Sequence, residues 1–381
     1  MDTAKIVAQA LAIQRIPSPT FDEHERAEFL RDRFQHAGLD DVQIDSTGNV
    51  VARRGEPSEP GVLVSAHLDS VFARDAIWPA RQDGGWLRGP GIGDNALGVA
   101  ALVELAAELQ EALPGACVWF AGTVGEEGLG NLRGMTALVE RFRSRVSAYL
   151  VLEGMSLGNV YHTGLPARRL RISVRTPGGH SWTHAGRASA THELIRLAEK
   201  ILRFPLPTQP RTTMNIGRLS GGTAINAIAA TAAMEIDLRS EDGQVAARLE
   251  AAVAKLAEAL AAPDVQVFTE SIGTRPGGGI PADHPLVVAA IRCLHAQGIQ
   301  DVRRGAGSTD ASAPLSQGLP AVCVGLTRGT MAHTVDEAIE IGPIAQGFPA
   351  LVQLVREAAR LVASGEIPLP SISEEGEAQI G

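Results

Sequence analysis

Scarcities narrow the chemistry of this 381-residue sequence before any motif is read. Lysine is almost missing: Lys5, Lys200 and Lys255 are the only three among 34 basic residues, which argues against a Schiff-base lysine. Cysteine is equally rare. Cys117, Cys293 and Cys323 are odd in number, scattered and set in apolar stretches, so they read as small buried hydrophobes and exclude a disulfide framework or a thiolate zinc site. Positive charge is not in excess: the formal net charge is −9, which argues against nucleic-acid or anionic-membrane partners. No apolar run is long enough to span a bilayer. The first residues, MDTAKIVAQALAIQRIPSP, lack the apolar core and cleavage site of a signal peptide, so a cytoplasmic location is expected. There are no internal repeats and no coiled coil, GPGIG lacks the spacing of a dinucleotide fingerprint, and no GxSxG frame occurs.

What is present is an alternation of short apolar strands and helical patterns. Helices at 3–14 and 21–38 flank the turn IPSPTFDEHE, and VQIDSTGNVVARRG reads as two strands about a turn at Ser46–Asn49. The apolar run VLVSA ends in His67-Leu68-Asp69. A glycine-broken loop, GPGIGDN, then carries Asp94 into a helix at 95–113, with Leu102, Leu105, Leu109 and Leu113 on one stripe. The strand ACVWFAG leads to Glu126-Glu127, a helix covers 131–142, and AYLVLEG ends at Glu153. From about residue 165 the order becomes strand, helix, strand, strand, helix, strand, the split βαβ pattern of a ferredoxin-like layer. TRPGGGIPADHP reads as a hinge back to the first domain. A helix at 284–297, the loop GAGSTDASA, the strand AVCVGL, a loop carrying His333 and a helix at 344–362 follow. SGEIPLPSISEEGEAQIG, acidic and rich in proline and serine, reads as a mobile tail. The fold class expected is α/β: a mixed, mostly parallel sheet flanked by helices over residues 1–164 and 277–381, with an inserted ferredoxin-like α+β domain over 165–276.

Three consecutive strands therefore end in histidine or acidic side chains, and in a mostly parallel sheet those ends share one edge. His67, Asp94, Glu127, Glu153 and His333 form a candidate ligand set. Imidazoles with carboxylates suit borderline divalent metals, zinc above all, with Co²⁺ or Mn²⁺ as substitutes. Five side chains are too many for one tetrahedral ion; they fit two ions about 3.5–4 Å apart with one bridging carboxylate, for which Asp94 is the best placed. At i and i+2 of an extended chain, Asp69 points to the side of His67 and can fix its orientation. Glu126, beside Glu127 but left over, can serve as general base and then acid. Each piece alone has a plain alternative: an N-cap for Asp94, a solvated acidic turn for Glu126-Glu127, a surface loop for His333. Asp336 and Glu337 could simply start the following element. Residues 168–218 hold ten Arg or Lys against Glu193 and Glu199, which fits an anionic substrate group or a solvated surface.

Taken in order, SAHLDSVF, GPGIGDNALGVAAL, TVGEEGLGNLRG, LVLEG and MAHTVDEAIEI resemble the successive motifs of one co-catalytic metallopeptidase family. It includes peptidase T, glutamate carboxypeptidase, acetylornithine deacetylase, succinyl-diaminopimelate desuccinylase and aminoacylase. The resemblance covers nearly the whole chain, extending to SPTFDEHE, DSTGNVVA, GGHS, GGTAINAIAATAAMEIDLRS and GSTDASAPLSQGLPAV. It implies two Zn²⁺ per subunit, His67 and Glu153 on one, Glu127 and His333 on the other, with Asp94 bridging, Glu126 as base and Asp69 supporting His67. It implies that Arg239, Asn226 and Arg275 bind a substrate carboxylate. It also implies that the inserted domain is a lid through which the chain forms a homodimer. His180, in TPGGHSW, corresponds to a lid histidine that donates to the oxyanion, within its own subunit or across the dimer. Glu153 stands where peptidase T has Asp, which leans away from a strict tripeptidase.

The reading is a hydrolase cleaving an amide bond of a small peptide or N-acyl amino acid. The alternatives are a carbamoyl, ureido or other non-peptide amide, and a non-catalytic binding protein, which would have no need of Glu126.

Overall fold

The computed structural model describes residues 2–76 and 78–370. Residues 371–381 of the expected tail lie outside the described residues. The chain divides into two compact units, Met1–Gly164 with Gly278–Gly381, and Leu165–Gly277.

The larger unit is built on a sheet of nine strands among the described residues. Its centre is formed by Cys117–Thr123, Gly61–His67, Val146–Glu153 and Ala321–Gly325, neighbours in that order and all parallel. Every residue of Gly61–His67 and Cys117–Thr123 is buried. That is what continuous apolar runs such as VLVSA and CVWFAG require when helices cover both faces of a sheet. The outer strands Asp40–Ile44 and Val50–Arg54 are antiparallel, as are Asn159–Gly164 and Gly278–Gly279, so the sheet is mixed. Helices Thr3–Gln14, Leu97–Glu108, Pro285–Ala296 and Ile344–Ala363 pack into the same core. A small separate sheet joins Arg81–Asp83, Trp86–Arg88, Ala338–Glu340 and Gly329–Thr330. Its last hairpin carries His333 at the tip, while Trp86–Arg88 runs straight into the Asp94 loop.

The smaller unit is a four-stranded antiparallel sheet in the order Thr212–Gly221, Thr231–Ser240, Ala167–Arg175, Gln266–Arg275. Helices Ala190–Leu202 and Gly243–Glu258 bury Leu194, Leu197, Ile201, Leu249 and Val253 in a core of its own with Leu170, Ile172, Met234 and Leu238. This is the ferredoxin-like arrangement expected from the sequence.

Several expectations change in detail. The helix expected at 95–113 spans only Leu97–Glu108, so Leu109 caps it and Leu113 lies beyond. Leu97 through Ala106 are all buried, Glu104 included, so this helix is enclosed on every side, and a stripe reading overran its end. The helix expected at 21–38 is His24–His36. Asn159–Gly164, Arg303–Gly307 and the small sheet carry no periodicity long enough to be read in advance. All three cysteines are buried free thiols. Among the described residues no helix is long and apolar enough to cross a membrane.

Candidate metal centre

The ends of the three parallel strands meet as expected. His67 and Thr123 are register partners at the ends of their strands, and Glu153 closes the next strand. Glu126 and Glu127 follow Thr123 by three and four residues and are almost fully buried. Asp94 lies in irregular backbone just ahead of helix Leu97–Glu108. His333 has a left-handed backbone, φ 64°, and its side chain is half exposed.

Asp94 is the centre of the constellation. One carboxylate oxygen lies 3.1 Å from Nε2 of His67 and the other 3.0 Å from Nε2 of His333. Glu153 approaches Nε2 of His67 at 3.7 Å, and Glu127 approaches Nε2 of His333 at 3.3 Å. The side chains thus fall into two groups, His67 with Glu153 and His333 with Glu127, and Asp94 faces both. Ligand atoms of His67, Asp94 and Glu127 all lie within 4.8 Å of one another.

Asp69 is fully buried and ties the base of the site together. Its Oδ1 accepts the backbone N–H of Glu126 at 2.9 Å and lies 3.5 Å from Nδ1 of His67. Its Oδ2 accepts the backbone N–H of Glu127 at 2.8 Å and the Thr20 hydroxyl at 2.9 Å. The nearer acceptor for Nδ1 of His67 is the main-chain carbonyl of Asp69, at 3.1 Å. One residue thereby orients an imidazole and the whole Glu126-Glu127 turn.

The electrostatics fit a cation. Burial, reinforced by the charge of Asp94, pushes Glu127 up to about 7 despite its bond to His333. Burial also pushes Glu153 up to about 7, against the pull of His67. Burial opposes the ionisation of Asp94, yet hydrogen bonds to His333 and His67 hold it well below the usual carboxylate range. Bonds to Asp94 and Glu127 raise His333 to about 11. Burial would lower His67, but Asp69, Asp94 and Glu153 together carry it well above its ordinary value. In the metal-free chain, protons therefore collect where three carboxylates crowd together. A divalent ion held by these nitrogen and carboxylate donors would displace those protons on binding.

Three residues close to the cluster had no role in the sequence reading. Glu337, fully buried, accepts backbone N–H groups of the Asp94 loop. Burial, the nearby Asp94 and those three bonds leave it at about 7. Asp310 is buried, accepts the Thr123 hydroxyl at 2.5 Å, and is pushed up to about 7 by burial and by Glu126. The side chain of Asn95 donates to the carbonyl of Leu152 at 2.8 Å and accepts from the N–H of Gly154 at 2.9 Å, locking the Asp94 loop to the strand that ends at Glu153. Alternating glycines in GPGIGD, whose N–H groups need an acceptor, were the one signal that pointed toward Glu337.

The remaining predicted residues belong to the smaller unit and form two groups. His180 and Asn226 are neighbours: Gly179–His180 pairs with Ala227–Ile228, and the N–H of Ser181 donates to the carbonyl of Asn226 at 3.0 Å. Arg239 and Arg275 flank Ala167 on the two adjacent strands. Asp237 accepts from Nε of Arg239 at 2.7 Å and Nε of Arg169 at 3.0 Å. Burial and the charge of Arg275 lower the Arg169 guanidinium. The two groups lie toward opposite ends of the strand Ala167–Arg175, which at about 3.3 Å per residue is roughly 26 Å long.

Comparison with known proteins agrees with this geometry. The family model described as Peptidase family M20/M25/M40 matches residues 63–357. Succinyl-diaminopimelate desuccinylase of Corynebacterium glutamicum is 25% identical over 359 residues, covering 90% of this chain and 94% of that protein. A tripeptidase structure from Staphylococcus aureus aligns with TM-score 0.72 at 22% identity, covering 96% of this chain and 99% of the other. A Bacillus subtilis structure described as a dinuclear metal-binding peptidase aligns with TM-score 0.65 at 16% identity, covering 94% and 98%.

Proposed function

The chain belongs to peptidase family M20/M25/M40, a family of metal-dependent hydrolases, and we propose that it is a dinuclear zinc enzyme cleaving an amide bond of a small peptide or N-acyl amino acid. The observation that carries the reading is Asp94, whose two oxygens each face a different imidazole at 3.0–3.1 Å. On this reading His67 and Glu153 hold one ion, His333 and Glu127 the other, and Asp94 both. Two ions there would supply Lewis acidity toward the scissile carbonyl and ease deprotonation of water.

The chain's own groups do the rest. Glu126 takes the proton of the attacking water and hands it to the leaving amine. Asp69 holds the Glu126 N–H, so the base is fixed relative to the ligands. Arg239 and Arg275, with Asn226, recognise a carboxylate next to the amide, and His180 donates a ring N–H to the oxyanion. Such a substrate is far shorter than the roughly 26 Å of the strand Ala167–Arg175. Within one chain, His180 with Asn226 and Arg239 with Arg275 then serve different active sites, each site taking one group from each subunit, which supports a homodimer through the inserted lid with His180 and Asn226 working across it. We place the enzyme in the cytoplasm, a reading supported by three free thiols.

The test is metal analysis of dialysed protein together with a rate screen on dipeptides, N-acyl and N-carbamoyl amino acids. Two ions per chain are expected, and Glu126→Gln should keep both while losing about 10²–10⁴ in rate. One ion or none would refute the dinuclear reading. Loss of metal in Glu126→Gln would make that residue a ligand, and activity confined to N-carbamoyl substrates would move the enzyme out of the peptidase and deacylase class.

A further inference from the structure

The loop Gly89–Asp94 has five backbone N–H groups, because Pro90 has none, and four of them go to one residue. The N–H of Gly89 donates to the main-chain carbonyl of Glu337 at 2.9 Å. Gly91 donates to Oε2 of Glu337 at 3.2 Å, and Gly93 and Asp94 donate to Oε1 at 2.7 and 2.9 Å. Successive N–H groups converging on one point form an anion-binding concavity. Here the chain fills it with its own carboxylate, and the side chain of Glu337 is fully buried.

The glycines follow from this arrangement. Gly91 has φ +70°, a left-handed conformation. A side chain on Gly93 would start 2.6 Å from Ile339 and 2.7 Å from Met155. The alternating pattern of GPGIGD thus lets the loop wrap close enough to Glu337 for its N–H groups to reach. Glu337 also sits four residues after His333, in the segment that joins Gly329–Thr330 to Ala338–Glu340. Its own N–H donates to the carbonyl of Thr334 at 3.2 Å, which ties it to that turn. One residue therefore connects the backbone of Asp94 with the loop of His333.

We propose that Glu337 is a positioning residue for the metal centre: its carboxylate organises the Asp94 loop and makes the Asp94 and His333 positions one unit. The inference rests on the reading that Asp94 and His333 hold metal. Glu337 acts through the Asp94 loop and the His333 turn that it joins. Its replacement by Ala strips the acceptor from three N–H groups, those of Gly91 and Gly93 buried. Replacement by Gln keeps one carbonyl oxygen but turns an amide NH₂ toward at least one of them, since the amide has a single acceptor oxygen.

The experiment uses full-length Glu337→Ala and Glu337→Gln in two measurements. Hydrogen–deuterium exchange on the chelator-treated, metal-free protein reads peptides covering 88–96 and 329–337. Competition against a zinc chelator reads affinity. In Glu337→Ala, exchange in 88–96 should quicken at least tenfold while the central strands Gly61–His67 and Cys117–Thr123 keep their protection. Zinc affinity should fall about 10–100-fold, as for other groups that orient ligands. Glu337→Gln should fall between Ala and wild type, and it carries the test alone if the Ala variant does not fold. A merely structural role would quicken exchange everywhere and lower the melting temperature without a selective change in 88–96; that result overturns the proposal. Zinc affinity of Glu337→Gln within twofold of wild type also overturns it. A wild-type chain that binds no zinc strikes the functional reading and this inference together, whereas normal wild-type binding with unaffected variants strikes this inference alone.

Discussion

Replacing Asp69 by Asn changes one atom in a group that accepts three hydrogen bonds and faces a histidine, and the cost can be worked through atom by atom. Oδ1 serves the Glu126 N–H and lies near Nδ1 of His67; Oδ2 serves the Glu127 N–H and the Thr20 hydroxyl. An asparagine has one oxygen, so its NH₂ must face one of these pairs. Facing the Oδ1 side would set it against two N–H donors. Facing the Oδ2 side is better, because the Thr20 hydroxyl can rotate and accept, and only the Glu127 N–H is left without a partner. A buried donor left unsatisfied costs about 1–3 kcal/mol. Asp69→Ala leaves both backbone donors unsatisfied and should cost roughly twice as much. For a unit of this size each kcal/mol lowers the melting temperature by about 2 °C, so Asp69→Asn should melt about 2–6 °C below wild type. Because the orphaned N–H belongs to a predicted ligand, zinc affinity should fall about 10–100-fold as well. Thermal melting of the metal-free protein and chelator competition of the loaded one measure the two effects separately. If Asp69→Asn matches wild type in both, these hydrogen bonds do not fix the Glu126-Glu127 turn, and the account of the base is wrong.

Three further outcomes are expected. Folded-state values of about 7 for Glu127 and Glu153 lie above the unfolded value near 4.5, so stability from these groups is lost as pH rises between the two. His67 and His333 are also raised, so their stabilisation, complete below 6.5, fades as pH climbs above it. Asp69 and Asp94 are depressed, and their contribution is lost only in acid below about 4. Melting of the chelated protein should therefore fall from pH 5 to 8, while the gain on adding zinc grows; a metal-free melting temperature that rises over this range would contradict the proton surplus. If Arg239 and Arg275 bind a substrate carboxylate, amidating that carboxylate or making Arg239→Ala should each cost roughly ten- to a hundredfold in kcat/KM, and equal rates on acid and amide would refute it. Mixing His180→Ala with Glu126→Gln under subunit exchange should restore part of the activity, since one site of the mixed dimer has both residues intact; no recovery despite verified exchange would place His180 within its own subunit's site or outside catalysis.

How far the sequence could be read depended on where each residue's partner lies. The runs VLVSA, ACVWFAG and AYLVLEG announce buried strands, and the polar groups that end them, His67, Glu126-Glu127 and Glu153, stand out against apolar neighbours. The parallel arrangement then gathers those ends without further help. The smaller unit was legible for a similar reason, its six elements each being long and regular. The small sheet was not: Gly329–Thr330 and Ala338–Glu340 are two and three residues long, and the pairing of Ala338–Glu340 with Trp86–Arg88 is made across the chain. Helix Leu97–Glu108 is buried on every side from Leu97 to Ala106, so periodicity could not mark where it stops.

Asp69 and Glu337 show the same division within a single site. Both are fully buried carboxylates that accept backbone N–H groups from segments bearing predicted ligands. Asp69 was found because it follows His67 by two residues in an extended chain, and alternation puts the pair on one side. Glu337 follows His333 by four residues through backbone with φ 64°, where no helix or strand period relates them. Its partners lie up to 246 residues earlier and are main-chain N–H groups, which no side-chain pattern advertises. The one trace they leave is the spacing of Gly89, Gly91 and Gly93. Alternating glycines ahead of a predicted ligand are therefore better treated as a demand for an acceptor than as a flexible loop, and a buried acid shortly after a distant ligand is the natural group to meet that demand.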